Sequence, residues 1–444
     1  VRDSGVILSV RARQRYPKRM ASTSLWIYRL LMGGLLPIAL PVIKIRQWLS
    51  GKSRPRFRDR FAWSLPELPE DGIWIQAVSV GEVELARGLV AELERRAPDL
   101  PLFLTATTTT GLDLARRTLG DRMPVFPCPI DLPGPVRRIF DAARPKLLVL
   151  VETELWPEML YQAGRREVPV TVVNARLSPG SFAGYRRVAG RLRTLLAPLA
   201  MVLARTEGDA KRFAGLNVPR ERIVVSGNIK YDIEADQRPL EWEDDLRRVA
   251  GDRPIVIAGS TMDGEETQFL DALSAIGSDG ARPFLILAPR HPERFDAVAQ
   301  LLADRGLVFS RRSSDEILSS DTDAFLIDTI GELARAYRLA SVAFIGGSLV
   351  PTGGHNPLEP AVWGVPVLSG PHVFNFKEVY DEMTDAGGSR LVADGAELRA
   401  AIEAWLDDPS AARAAGVAGR DVVERNRGAT ARTVSALVDL VRGE

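Results

Sequence analysis

Cysteine is nearly absent from this 444-residue chain, where Cys128 stands alone. A single thiol excludes a disulfide framework and any cysteine-rich metal site, and it fits a reducing compartment. Histidine is almost as scarce, with only His291, His355 and His372. A histidine-based zinc site would need nearly all of them, so neither a metal nor another cofactor is expected. Net charge is close to zero at +1, which argues against a general nucleic-acid binder. What is present is the composition of a globular protein, 45% hydrophobic and 26% charged. The chain is too long for one ordinary core, so two domains are expected.

Charge and hydrophobicity are unevenly spread near the start. Residues 1–24 are basic and lack periodicity, and the internal Met20 makes the stretch before it read as an upstream extension that need not fold. From Leu25 to Ile43, about nineteen residues carry Arg29 as their only charge, close to the length that spans a bilayer. Trp26 and Tyr28 suit an interfacial belt, while Pro37 and Pro41 would kink the segment. Lys44, Arg46, Lys52, Arg54, Arg56, Arg58 and Arg60 follow. That cationic run places the rest of the chain on the cytoplasmic side, drawn to anionic headgroups. Residues 25–60 therefore read as a membrane anchor, either spanning the bilayer or lying in its interface. A cleaved signal peptide would lack its small-residue cleavage site here, and a buried amphipathic helix is the plainer alternative.

Beyond residue 60 two halves share one grammar of strand, loop and helix. The first, 61–231, has continuous apolar runs at 73–78, 102–107, 146–152, 170–175, 201–204 and 223–227. Between them lie helical stretches such as the one carrying Val83, Leu85, Leu89, Val90 and Leu93 on one face. Residues 232–250 are polar, acidic and strand-free, and they read as a linker. The grammar restarts in 251–444 with runs at 255–260, 284–290, 325–328, 342–348 and 365–370. Unbroken Val/Ile/Leu strands alternating with helices predict two doubly wound α/β sheets, with ligands bound at the carboxyl ends of their strands in a central cleft.

Chemistry-bearing residues fall at those strand ends. Gly81 and Glu82 follow the first run, Glu152 and Glu154 end "VETELWP", and Lys230 lies in "SGNIKYD". In the second half Arg290 and His291 end "APRHPER", and Gly331 and Glu332 lie in "DTIGEL". The stretch "GGSLVPTGGHNPLEPAVWGVPVLSG", residues 346–370, adds six glycines and a lone carboxylate, Glu359. Glycine in such numbers marks close approach of backbone to a neighbour. A helix beginning near Pro357, capped by Asn356 or His355, would aim free N–H groups at an anion. A tight connection without a ligand is the plainer alternative.

Taken together, "AVSVGE", "ETELWP", "NARLS", "GNIKYD", "APRHPER", "GEL" and "GGHNPLEPA", in this order, resemble the bacterial 3-deoxy-D-manno-octulosonic acid (Kdo) transferases of lipopolysaccharide synthesis. The resemblance runs from about Leu25 onward; Gln76 departs from it, standing where histidine is expected. It implies the GT-B glycosyltransferase fold, two Rossmann-like domains facing a cleft, with an N-terminal membrane-anchor helix at the cytoplasmic face of the inner membrane. It implies an inverting transfer of Kdo from CMP-Kdo to a hydroxyl of a lipid A precursor, lipid IVA. The first domain would take the acceptor, and the second would bind CMP-Kdo, its last helices packing back on the first.

By the same resemblance, Pro289, Arg290, Gly331, Glu332, Leu333, Asn356, Pro357, Leu358 and Glu359 bind CMP. The Gly-rich loop holds its single phosphate and Glu359 its ribose hydroxyls. Arg290 supplies a fixed positive fork for phosphate, and backbone groups of the "GEL" turn can read a base edge. Glu82 is the candidate general base, although a helix N-terminus would lower its pKa and weaken it. Lys230 and Glu152 are candidates for stabilising the transition state, with Glu154 second to Glu152. Arg176, Ser178 and Tyr185 could line the acceptor side or simply form a capped loop. Two other readings stay open: a different sugar-nucleotide enzyme of this fold, such as a UDP-sugar transferase or 2-epimerase, and a membrane-tethered binding protein without turnover.

Overall fold

A computed structural model describes residues 25–35, 57–187, 190, 194–274, 276, 282–314 and 318–443. The basic extension 1–24, the second half of the apolar segment and the cations from Lys44 to Arg56 lie outside the described residues. The described residues form two units. One ends at Lys230 and regains Gly428–Glu444, and the other is Tyr231–Arg427.

The first unit is built on a seven-stranded parallel sheet. Its strands are β1 (Ile73–Ala77), β2 (Leu102–Ala106), β3 (Val125–Pro127), β4 (Leu147–Val151), β5 (Val170–Ala175), β6 (Leu199–Ala204) and β7 (Ile223–Val225), in the order β3-β2-β1-β4-β5-β6-β7. Alternate residues feed two cores. Ile73, Ile75, Leu104 and Val149 face one, and Trp74, Phe103, Leu148 and Leu150 face the other. That double burial is why these strands are apolar at most positions, with Gln76, Thr105, Thr171 and Asn174 as buried polar exceptions. The returning helix Ala429–Arg442 sets Val434, Leu437 and Val438 into the core that holds Leu89 and Val90.

The second unit repeats the plan with β8 (Ile255–Thr261), β9 (Phe284–Pro289), β10 (Phe309–Arg311), β11 (Ala324–Leu326), β12 (Val342–Ile345), β13 (Val367–Ser369) and β14 (Ser389–Leu391), ordered β10-β11-β9-β8-β12-β13-β14. The segment read as a linker is not a bare connector. It carries the helix Glu243–Ala250 and places Leu240, Trp242, Leu246 and Val249 in this unit's core. Both sheets reverse winding beside their first strand, between β1 and β4 and between β8 and β12, and each such switch point opens a crevice at the strands' carboxyl ends.

Residues 25–35 form a helix fastened to the first unit by two polar contacts. The Tyr28 hydroxyl donates to Asp131 Oδ2 at 2.8 Å. Arg29 donates through two nitrogens to both oxygens of Glu158, at 2.8 and 3.0 Å. Glu158 is fully buried and also accepts from Gln162 at 2.6 Å. Asp131 accepts the Glu158 and Met159 backbone N–H groups at 2.9 Å each. The one charge in the apolar segment is therefore an internal ion pair. Trp26, Ile27, Leu30, Leu31 and Leu35 stay more than half exposed. Among the described residues no helix is long and apolar enough to cross a membrane.

Candidate active site

At the switch point of the first sheet stands Glu82. Ser79 caps the helix Val80–Arg96 by accepting the Glu82 N–H, and the Glu82 side chain reaches back past the cap to Val78. Its Oε2 accepts the Val78 N–H at 2.7 Å and its Oε1 the Ser79 hydroxyl at 3.1 Å. The carboxylate is only 7% exposed. Burial raises its pKa to about 7; the Val78 bond opposes this, and the nearby charges of Glu152 and Glu154 add to it. The helix N-terminus was expected to lower this pKa, and the net shift goes the other way because desolvation and like charges outweigh the cap.

The structure thus gathers Glu82, Glu152 and Glu154 at the ends of adjacent β1 and β4. Glu152 has φ +61°, a left-handed backbone that costs a non-glycine residue on the order of 1–3 kcal/mol and persists only where surroundings enforce it. Its N–H is tied to Val173 O at 2.9 Å. Burial, and then the nearby charge of Glu152, raise the Glu154 pKa. Tyr185 is raised too, first by burial and then by Glu154, so it faces the same cluster. Ser178 takes the capping role: its hydroxyl accepts the Ser181 N–H at the start of helix Pro179–Arg186. The Arg176 carbonyl accepts a hydrogen bond from Thr153. Gln76 is fully buried in β1, linked to Thr105 and Thr107, and Trp74 donates to the same Thr105 hydroxyl.

Lys230 sits in the short turn Ile229–Tyr231 that follows β7. Two asparagines set that turn. Asn174 Oδ1 accepts the Ile229 N–H at 3.0 Å, and Asn228 Oδ1 accepts the Lys230 N–H at 3.1 Å. Asn174 is fully buried at φ +50°, and its Nδ2 has no partner. Sequence reasoning gave it no role; the available signal was an amide inside a Val-rich strand, where polar residues are rare.

In the second unit Arg290 follows β9 and is exposed, with no ion pair among the described residues. Its charge reaches His355, whose pKa falls to about 4, first through burial and then through Arg290 and His291. His355 is therefore neutral near pH 7, and its Nε2 is buried without a partner. Gly331 has φ +96° with open space where a Cβ would point, so the turn needs glycine for its backbone alone. The Glu332 carboxylate is held by Arg312, Trp242 and Thr329. Burial pushes Glu332 up, but the hydrogen bonds from these three outweigh it and leave the carboxyl below its ordinary value. With that side chain engaged, Gly331 and Leu333 offer a ligand mainly backbone.

Two expectations for the Gly-rich loop are corrected. The helix after Asn356 is a single turn, Leu358–Ala361, with Pro357 at its cap position. Asn356 Oδ1 accepts the Leu358 N–H at 3.1 Å, and Asn356 Nδ2 lies 3.5 Å from Glu359 Oε1. One turn is too short to build a macrodipole comparable to a long helix. The "GGS" bend is also not open to a phosphate, because the buried Glu265 carboxylate accepts the N–H groups of Gly347, Ser348 and Leu349. Arg294 is engaged as well, paired with the buried Glu266. Among the described residues no three His, Cys, Asp or Glu side chains converge as a metal site would require.

Two doubly wound parallel α/β domains, with acids at one switch point and a glycine-rich bend at the other, resemble the GT-B glycosyltransferases in fold. The fold is shared with S. aureus MnaA solved with UDP (TM-score 0.54, 14% identity, 84% of this chain and 97% of that one). It is shared also with Anabaena Alr3699/HepE in complex with UDP (TM-score 0.52, 13% identity, 84% and 100%). The family model for 3-deoxy-D-manno-octulosonic-acid transferase matches residues 55–233. The chain is 38% identical to a 3-deoxy-D-manno-octulosonic acid transferase of Haemophilus influenzae, over 93% of this chain and 98% of that protein. It is 35% identical to the transferase of the same name from Bordetella pertussis, over 83% and 87%. The chain belongs to the 3-deoxy-D-manno-octulosonic acid transferase family.

Proposed function

We propose that the protein transfers Kdo from CMP-Kdo to a hydroxyl of a lipid A precursor, lipid IVA, with inversion. The observation that carries the mechanism is the buried Glu82, whose pKa near 7 suits a general base at cellular pH. An acceptor hydroxyl gives its proton to Glu82 while its oxygen bonds to the anomeric carbon. The bond from that carbon to the CMP phosphate oxygen breaks, and CMP departs with the electron pair. Lys230 offsets charge on phosphate or the Kdo carboxylate, and Glu152 orients or polarises a partner from its strained backbone. The first unit supplies these groups.

The second unit binds CMP. Arg290 meets the phosphate, Glu359 the ribose hydroxyls, and the Pro289–Arg290, Gly331–Leu333 and Asn356–Glu359 segments surround the nucleotide. This reading calls for no metal at the phosphate. The exposed apolar face of residues 25–35 lies against the inner membrane at its cytoplasmic side, where a lipid acceptor with acyl chains resides. The test is a turnover assay with CMP-Kdo and lipid IVA, read by product mass. Absence of a Kdo adduct with folded protein, or equal use of UDP-sugars, would refute the assignment.

A further inference from the structure

Glu265 opens the helix Glu265–Ser274 just after β8, yet its side chain is spent on the neighbouring strand's exit. Its Oε2 accepts the Gly347 N–H at 2.6 Å and the Met262 N–H at 2.9 Å. Its Oε1 accepts the Ser348 and Leu349 N–H groups at 2.8 Å each. Three successive backbone N–H groups converging on one anion form the kind of concavity in which proteins hold phosphate. Here the anion is internal and fully buried.

The bend is built tightly around it. Gly347 has φ +70°, and a Cβ at Gly346 would stand 2.5 Å from the Ser260 carbonyl. Gly354 N–H donates to Gly347 O at 2.7 Å and His355 N–H to Gly346 O at 3.2 Å, so the bend runs straight into the "GGHN" turn. Arg290 N–H donates to Thr261 O at 3.0 Å, which places the Arg290 backbone at the other edge of the same crevice. The nest therefore adjoins the groups assigned to CMP.

Resting on the reading that this unit binds CMP-Kdo, we propose that Glu265 restricts the donor site to a nucleoside monophosphate. Its carboxylate fills the backbone nest that a second phosphate would need, and its charge repels an anion placed beside it. A single phosphate at Arg290 requires neither the nest nor closeness to Glu265.

Calorimetric titration of the full chain with CMP and with CDP, in metal-free buffer at fixed salt, tests this. The wild type should bind CMP at least as tightly as CDP. Glu265→Ala should raise the CDP-to-CMP affinity ratio about tenfold, the gain of roughly one charge-assisted hydrogen bond. Formate or inorganic phosphate should raise the Tm of Glu265→Ala at concentrations that leave the wild type unchanged. Glu265→Gln keeps the shape without the charge and should raise the ratio by a smaller factor; it decides the matter if the alanine variant does not fold. Failure of CMP to bind the wild type would overturn the CMP reading itself. CMP binding with an unchanged ratio in folded variants, or wild-type preference for CDP, would overturn only the role given to Glu265.

Discussion

Replacing Glu82 by glutamine separates its proposed role as a base from its plain role as a helix cap. An amide can still accept the Val78 N–H and meet the Ser79 hydroxyl, so the cap survives, but it cannot take a proton from an alcohol. The same change bears on stability. Glu82 titrates near 7 in the folded protein against an ordinary value of 4.5. Between those values the folded state keeps a proton the unfolded chain has lost, so wild-type stability falls as pH rises through that window. Each pH unit is worth about 1.4 kcal/mol, and allowing for solvent at the mouth of the site the cost is about 2–3 kcal/mol by pH 8. Glu82→Gln lacks this cost. Its advantage in thermal unfolding should be near zero at pH 4.5 and reach roughly 5 °C at pH 8. Its turnover should be abolished across that range, while wild-type kcat/KM rises with pH through about 7 as the base ionises. Near-normal turnover in the variant would refute the base assignment. A stability advantage that does not grow with pH would refute desolvation as the cause of the shift.

Arg290→Ala and Glu359→Ala should each weaken CMP by roughly 1.5–3 kcal/mol, measured by calorimetry, with the fold intact by circular dichroism. Arg29→Ala should destabilise the first unit by roughly 3–5 kcal/mol because it strands the buried Glu158 charge, and adding Glu158→Gln should recover most of that in urea unfolding. Leu30→Glu with Leu31→Glu should leave stability and CMP binding unchanged, since both side chains are exposed, yet reduce sedimentation with vesicles of anionic lipid. Gly331→Ala should lower CMP affinity without a steric clash, because its φ of +96° resists a side chain where space is open; unaltered affinity would remove the "GEL" turn from the nucleotide site.

The sheets were legible in the sequence wherever strands are buried on both faces. β4 and β9 announce themselves as unbroken apolar runs, and β1 as one broken only by Gln76, because each feeds two cores. The strands missed are β3, β10 and β14, three residues each at sheet edges. An edge strand pairs on one side only, so residues such as Pro127, Arg311 and Arg390 are tolerated and the apolar signal disappears. Arg29 was legible as an oddity in an apolar stretch, but its partner Glu158 lies 129 residues away and no local pattern points to it. Glu265 and Gly347 are separated by 82 residues, so the glycines showed that something approaches the loop and not that it is the protein's own carboxylate.

Glu82 and Glu265 show why such acids resist assignment from sequence. Each lies in the first turn of the helix that follows the opening strand of its sheet, and each stands at a switch point between that strand and the next. Their fates are decided by the neighbouring strand's exit. β4 leads into Glu152 and Glu154, which bring like charge towards Glu82 and hold it near neutrality's edge. β12 leads into Gly347, Ser348 and Leu349, whose N–H groups all donate to the Glu265 carboxylate. Like charges and burial disfavour the charged form of a carboxyl, as at Glu82. The first arrangement leaves a carboxylate able to take up and release a proton near pH 7, and the second leaves one that holds a loop in place. The same residue type at the same point of the same fold is thus the proposed base in one unit and a loop anchor in the other.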